Sequence, residues 1–224
     1  MRNEIIWLML IVVNFSFVIY VYKKFGKLGL YIWIPISVIL ANLQVVVTLQ
    51  LFGIYSTLGN IIYGTGYLAT DVLSEKYGKK DADKGVNIGC FSLIAFTTIM
   101  WICTRFNLID NAEHFNALYG FMPRVCFASL VCYFISNRHD TWSFEFWKKL
   151  FPKQLWIRNN ASTMVSQLID SSLFTILAFT GELPINVMFE IFISTFLLKF
   201  IVAVFDTPFI YLIKKIDSEE VKKC

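Results

Sequence analysis

Seven apolar runs separated by short polar gaps leave this chain almost no soluble fold to adopt. They cover residues 5–22, 28–52, 54–73, 86–104, 115–136, 161–180 and 185–213, and a helix needs about 20 apolar residues to cross a bilayer. Only 16% of the 224 residues are charged, whereas soluble domains carry nearer a quarter. The expected fold class is all-α: a polytopic membrane bundle of six to seven transmembrane helices, with residues 1–224 forming one domain. The 28–52 and 54–73 runs are parted only by Gly53 and its neighbours, which predicts a tight hairpin. Six or seven depends on whether both cross fully. The last run is too long for a straight span, and Asp206-Thr207-Pro208 within it predicts a kink or break.

The basic residues set an orientation. Alternate gaps hold Lys23, Lys24 and Lys27; then Lys76, Lys79, Lys80 and Lys84; then Arg138, Lys148, Lys149, Lys153 and Arg158; and finally Lys214, Lys215, Lys222 and Lys223. The intervening gaps hold only Arg2 and Arg105. This bias predicts a cytoplasmic C-terminus and an external N-terminus. It also explains the net charge of +4 without invoking nucleic acid. The aromatic and basic stretch 142–156 suits a short helix lying in the cytoplasmic interface.

The cysteines (Cys90, Cys103, Cys126, Cys132, Cys224) form no CxxC pair, and His114 and His139 fall in predicted loops. Neither set predicts a metal site. The first run lacks a small-residue cleavage site, so no cleavable signal peptide is expected. No HExxH, GxSxG, phosphate loop or Asp-rich metal motif is present, so neither an enzyme nor a cofactor is expected.

Polar groups inside apolar spans are costly and are functional candidates by default. The sixth run places Asn159, Thr163, Ser166, Gln167, Asp170 and Phe174 on one face at three- and four-residue steps, with Asp170 near mid-depth. The second run contributes Asn42, Gln44 and Thr48. The third carries Asn60, Tyr63, Tyr67 and Thr70 down to Asp71 and Glu75, which lie one turn apart where apolar helix gives way to basic loop. Arg124 in the fifth run and Lys199 in the seventh are the expected counter-charges, and the seventh also holds Glu190 and Asp206. Taken singly, an amide here is helix-packing glue and Glu75 a solvated helix end. Together they equip a membrane interior to bind a flat, hydrogen-bonding solute.

The chain resembles the queuosine precursor transporter family over about 41–211. Three blocks carry the resemblance. The first is Ala41-Asn42 running to Gly59-Asn60. The second is Thr70-Asp71-Val-Leu-Ser-Glu75-Lys-Tyr77-Gly78-Lys-Lys-Asp-Ala82. The third is Arg158-Asn-Asn-Ala-Ser162 through Gln167-Leu-Ile-Asp170-Ser171 to Phe174 and Gly181, with Lys199, Asp206-Thr207-Pro208 and Tyr211 completing the pattern. The resemblance implies uptake across a bacterial inner membrane of 7-cyano-7-deazaguanine, 7-aminomethyl-7-deazaguanine or queuine, by secondary transport or facilitated diffusion. On that reading Asp170 and Gln167 pair with the guanine-like edge, Tyr63 or Tyr67 stacks on the ring, and Asp71 or Glu75 meets an aminomethyl cation. The partners are the deazaguanine base and the lipid bilayer, and the base rate for small transporters favours a homodimer. One alternative is the substrate-binding subunit of an ATPase-driven vitamin-uptake complex. Against it, Leu10, Asn14 and Val18 on the first run offer no small-residue patch. An intramembrane enzyme acting on a polar head group is a third reading.

Overall fold

In the computed structural model, residues 2–45, 47–107, 109–110, 113, 119, 122–181 and 184–216 are described. Six helices and one two-stranded ribbon account for nearly all of them, in the order α1 (Arg2–Gln44), β1 (Thr48–Leu51), β2 (Ile54–Thr57), α2 (Asn60–Lys76), α3 (Lys79–Cys103), α4 (Met122–Leu150), α5 (Leu155–Phe179) and α6 (Ile185–Lys215). The chain is an all-α, multi-pass membrane bundle. Four of the helices, α1, α3, α5 and α6, are long and apolar enough to cross a membrane.

The first two predicted runs join in α1, which folds back on itself. Gly26 has φ 56 and ψ −135, a conformation closed to residues with a Cβ. Beyond it the chain doubles back so tightly that a Cβ on Gly29 would lie 2.2 Å from the Val21 carbonyl oxygen. The start of α1 accordingly meets the ribbon that follows its end: Asn3 donates to the Gln50 carbonyl at 3.2 Å, and the Trp7 and Phe52 rings pack edge to face.

The turn expected at Gly53 is present, but strands rather than helices flank it. Helix α1 stops at Gln44 and α2 starts at Asn60, and between them Thr48 pairs with Thr57 and Leu51 with Ile54. The β-branched residues Val45 to Thr48 favour extended backbone. Phe52 (φ 51) and Gly53 (φ 80) then supply the two positive φ angles of a tight hairpin turn. Of the fifth predicted run, residues 115–118 and 120–121 lie outside the described residues. From Met122 the helix continues to Leu150, so 142–150 forms the end of α4 and not a separate interfacial helix. After Pro123 in its first turn, no glycine or proline intervenes to stop it before Pro152. Helix α6 runs unbroken through Pro208. Next to that proline, Asn159 and Asn160 of α5 hydrogen-bond Asp206 and Thr207, tying the segment to its neighbour where a kink was expected.

The bundle is apolar on its outside, as a lipid-facing protein must be. Val12, Phe91, Ile94, Phe127, Val165, Ile176 and Leu197 are all exposed. Its axis is α2, where 14 of 17 residues are buried. Helices α1, α3, α4 and α6 pack closely on it. Toward α5 the arrangement differs: the two backbones stay apart, and long polar side chains reach across.

Candidate functional site

Three rungs join α2 to α5, in antiparallel order. The Tyr63 hydroxyl donates to Asp170 Oδ1 at 2.7 Å, the Thr163 hydroxyl to Asp71 Oδ2 at 3.3 Å, and the Arg158 guanidinium to Glu75 Oε1 at 2.5 Å. The spacing follows from the helical repeat. Residues 63, 67, 71 and 75 recur every four positions on one face of α2, and 159, 163, 166 and 170 recur at three- and four-residue steps on α5, with 158 and 167 beside them.

Asp170 is bonded from three neighbouring helices. Besides Tyr63 from α2, it receives Ser136 Oγ of α4 at 3.1 Å and Lys199 Nζ of α6 at 2.5 Å. The lysine also lies 4.8 Å from the Tyr63 ring centroid, so ammonium, ring and carboxylate form one unit. Tyr67 packs edge to face on Tyr63 and donates to Ser136 at 2.8 Å. All four helices around the seam thus converge on one carboxylate. Asp170 and Lys199 are both buried, a pairing that keeps both ions tolerable in a low-dielectric interior.

Next to this saturated acid stand unsatisfied acceptors. Gln167 Oε1, one turn from Asp170, is buried without a hydrogen bond of normal geometry, as are Asp71 Oδ1, Asn159 Oδ1 and both oxygens of Asp140, although Ser162, Thr163 and Ser166 lie beside Asp140. Buried polar atoms are almost always paired, and this group gathers on the inner faces of α2, α4 and α5. The group calls for N–H or O–H donors.

Asp206 accepts from Asn159 Nδ2 at 2.6 Å and borders the same region as Asp71 and Asp140. Glu75 stands at the end of α2 that faces the basic gaps, within 2.8 Å of Lys214 and 3.7 Å of Lys148 as well as on Arg158. It therefore ties α2 to α4, α5 and α6. Three cations already surround it, which leaves little reason for it to meet a fourth on a ligand.

The remaining expected residues lie away from the Asp170 unit. Asn42 bonds the Val38 carbonyl of its own helix, Gln44 ends α1 with Oε1 buried and unpartnered, and Asn60 bonds the Thr57 carbonyl. These three gather at the ribbon end, where Gly59 comes so close to the Ala41 carbonyl that a Cβ would lie 2.7 Å from it. Arg124 is exposed and bonds the carbonyls of Leu177 and Thr180 at the far end of α5. There it caps the C-terminus of a helix, a favourable place for a cation.

Sequence reasoning missed Asp140, Ser136 and the interior role of Arg158. Asp140 and Arg158 fall in what reads as one basic loop. The signal available was the step Cys132, Ser136, Asp140, Phe144, which continues a helical face beyond the predicted end of the fifth run. All four side chains are fully or almost fully buried.

Outside the membrane interior, Asp81 at the start of α3 accepts from the Tyr31 hydroxyl at 2.6 Å and from Lys27 at 3.2 Å. The Tyr31 hydrogen bond first, and the Lys27 ammonium after it, hold its carboxyl below the usual carboxylate range. Asp83 is held by Lys79 at 2.6 Å and Arg138 at 3.0 Å.

A family model described as "Putative vitamin uptake transporter" matches residues 57–213, the part of the chain that holds the seam. A protein of Bacillus subtilis (strain 168) described as "Probable queuosine precursor transporter" is 42% identical over 220 residues, which cover 96% of each chain. No solved structure matches the chain.

Proposed function

The chain belongs to this family of vitamin uptake transporters, and on that premise we propose that it carries queuosine precursors across the bacterial cytoplasmic membrane. The substrates are 7-cyano-7-deazaguanine, 7-aminomethyl-7-deazaguanine and queuine. Transport is secondary or facilitated, the C-terminus is cytoplasmic, and the substrate leaves chemically unchanged. The Bacillus subtilis relative's description as a queuosine precursor transporter supports the substrate class.

The observation that carries this reading is the acceptor-rich seam between α2 and α5, where Gln167 Oε1 is buried without a partner beside Asp170. A deazaguanine edge presents adjacent N–H donors. A carboxylate accepts two such donors side by side, and an amide supplies the matching acceptor and donor. Entering the seam, the base displaces Tyr63 and Ser136 from Asp170 Oδ1. Lys199 stays on Oδ2. Tyr63 and Tyr67 lie against the ring. Asn42, Gln44 and Asn60 line the approach from the ribbon end. Asp71 and Asp206 lie further toward the cytoplasm, Glu75 closes that end, and Arg124 holds the opposite end of α5.

Titration of the purified protein with the three deazaguanines, and with adenine as control, tests the reading. Asp170→Asn removes a charged hydrogen-bond acceptor worth about 1.5–3 kcal/mol, so binding weakens roughly 10- to 150-fold. Gln167→Leu weakens it further in the same direction. Wild-type affinity in both variants would remove these residues from the site, and equal affinity for adenine would remove the guanine-edge chemistry.

A further inference from the structure

Asp71 and Asp140 form a buried acid pair that none of these interactions accounts for. Both carboxylates are completely shielded from solvent. Asp140 of α4 lies against Asp71 and beside Ser162, Thr163 and Ser166, yet neither of its oxygens has a hydrogen bond of normal geometry, and Asp71 Oδ1 has none either.

Two of the other buried acids have a base, Asp170 with Lys199 and Glu75 with Arg158, and Asp206 has the neutral Asn159 amide. The bases on the surrounding helices are committed elsewhere. Lys148 and Lys214 are at Glu75, and Arg138 and Lys79 are at Asp83. Lys27 is at Asp81, and Lys76 is on the Ile216 carbonyl. His139, next to Asp140 in sequence, turns to Ser166 at 2.9 Å. Asp206 is the further charge near the pair and has the same sign. Among the described residues, no group of three or more His, Cys, Asp or Glu side chains could hold a metal ion.

Two adjacent carboxylates in such a place cannot both ionise, and an intramembrane acid pair without a base signals an ion pathway. We propose that Asp71 and Asp140 hold one proton between them, and that this proton is the coupling ion, entering with the substrate and leaving to the cytoplasm. The pair lies one helical turn from the Glu75 ion cluster on one side and two turns from Tyr63 on the other. It can therefore sense both the substrate and the cytoplasmic closure. The inference rests on the deazaguanine reading for the identity of the solute and deepens it by naming the ion.

The test uses full-length protein in proteoliposomes, with radiolabelled 7-cyano-7-deazaguanine as probe because that base is uncharged. Coupling to one proton predicts accumulation of up to about tenfold for each pH unit, acid outside, abolished by a protonophore. In Asp140→Asn, and independently in Asp71→Asn, the ratio of uptake with and without the gradient falls to about one. Wild-type uptake indifferent to the gradient, or variants that keep the tenfold ratio, would overturn the proposal. Infrared difference spectra of wild type against Asp140→Asn in the same vesicles read the shared proton without any solute, as a protonated-carboxyl C=O band that shifts in D2O and is lost in the variant. A missing band overturns the shared proton whatever the uptake. A band that is present while no deazaguanine is taken up removes the substrate reading and leaves the proton site standing.

Discussion

Glu75 and its three cations offer a direct measure of what holds the bundle closed. Replacing Glu75 with Gln removes the charge on which Arg158, only 2% exposed, depends. Leaving one member of a buried pair uncompensated costs about 3–5 kcal/mol. Arg158 retains its bond to the Pro152 carbonyl at 2.9 Å and the Phe144 ring at 5.9 Å, which puts the loss near the lower figure. At roughly 2–4 °C per kcal/mol for a chain of this size, the unfolding midpoint falls by about 6–12 °C. Lys214, by contrast, is 46% exposed. Lys214→Met removes a screened partner worth at most about 1 kcal/mol and shifts the midpoint by a few degrees. The double variant Glu75→Leu/Arg158→Met removes both buried charges and recovers much of the loss. Thermal unfolding of the purified protein, followed by tryptophan fluorescence, distinguishes these cases. The reasoning is refuted if Lys214→Met is as damaging as Glu75→Gln, or if the double variant is worse than Glu75→Gln alone.

Other consequences are equally specific. Gly26→Ala forces a Cβ into a backbone conformation it disfavours, and a loss of more than about 1 kcal/mol is expected as a lower unfolding midpoint. Asn159→Leu strips Asp206 of its amide donor and costs about 1–3 kcal/mol by the same assay. The depressed carboxyl of Asp81 stabilises the fold only while ionised. Its contribution is fully present above the unfolded carboxylate pKa of about 4 and disappears as pH falls through the lower folded value. The difference in midpoint between wild type and Asp81→Asn should therefore be visible at neutral pH and vanish in strong acid; a constant difference would show that the Tyr31 and Lys27 contacts are irrelevant. Lys199→Met leaves Asp170 buried without a base, and loss of deazaguanine binding by at least about tenfold is the expected result of titration.

The sequence by itself determines the environment and the class. Apolar run lengths require a bilayer, and three- and four-residue steps put Tyr63, Tyr67, Asp71 and Glu75 on one face and Gln167 and Asp170 on another. These are properties of one helix at a time, so periodicity reveals them. Which faces meet is a property of pairs. Only packing decides that Asp170 takes Lys199 while Arg124 goes to the end of α5, or that Glu75 collects cations from three helices. Composition hid Asp140, although the step Cys132, Ser136, Asp140, Phe144 continues the helical face. Its neighbours Arg138 and His139 are polar and read as a loop, because local composition cannot show that α4 carries its buried face two turns past the apolar run. The hairpin at Gly53 shows the reverse: its turn is local chemistry and legible. The strands beside it were masked by a run that is apolar enough for helix and β-branched enough for sheet. Tertiary structure assigns each polar group a partner or leaves it without one. On the inner faces of α2, α4 and α5 it leaves Gln167 Oε1, Asp71 Oδ1 and the Asp140 carboxylate without one.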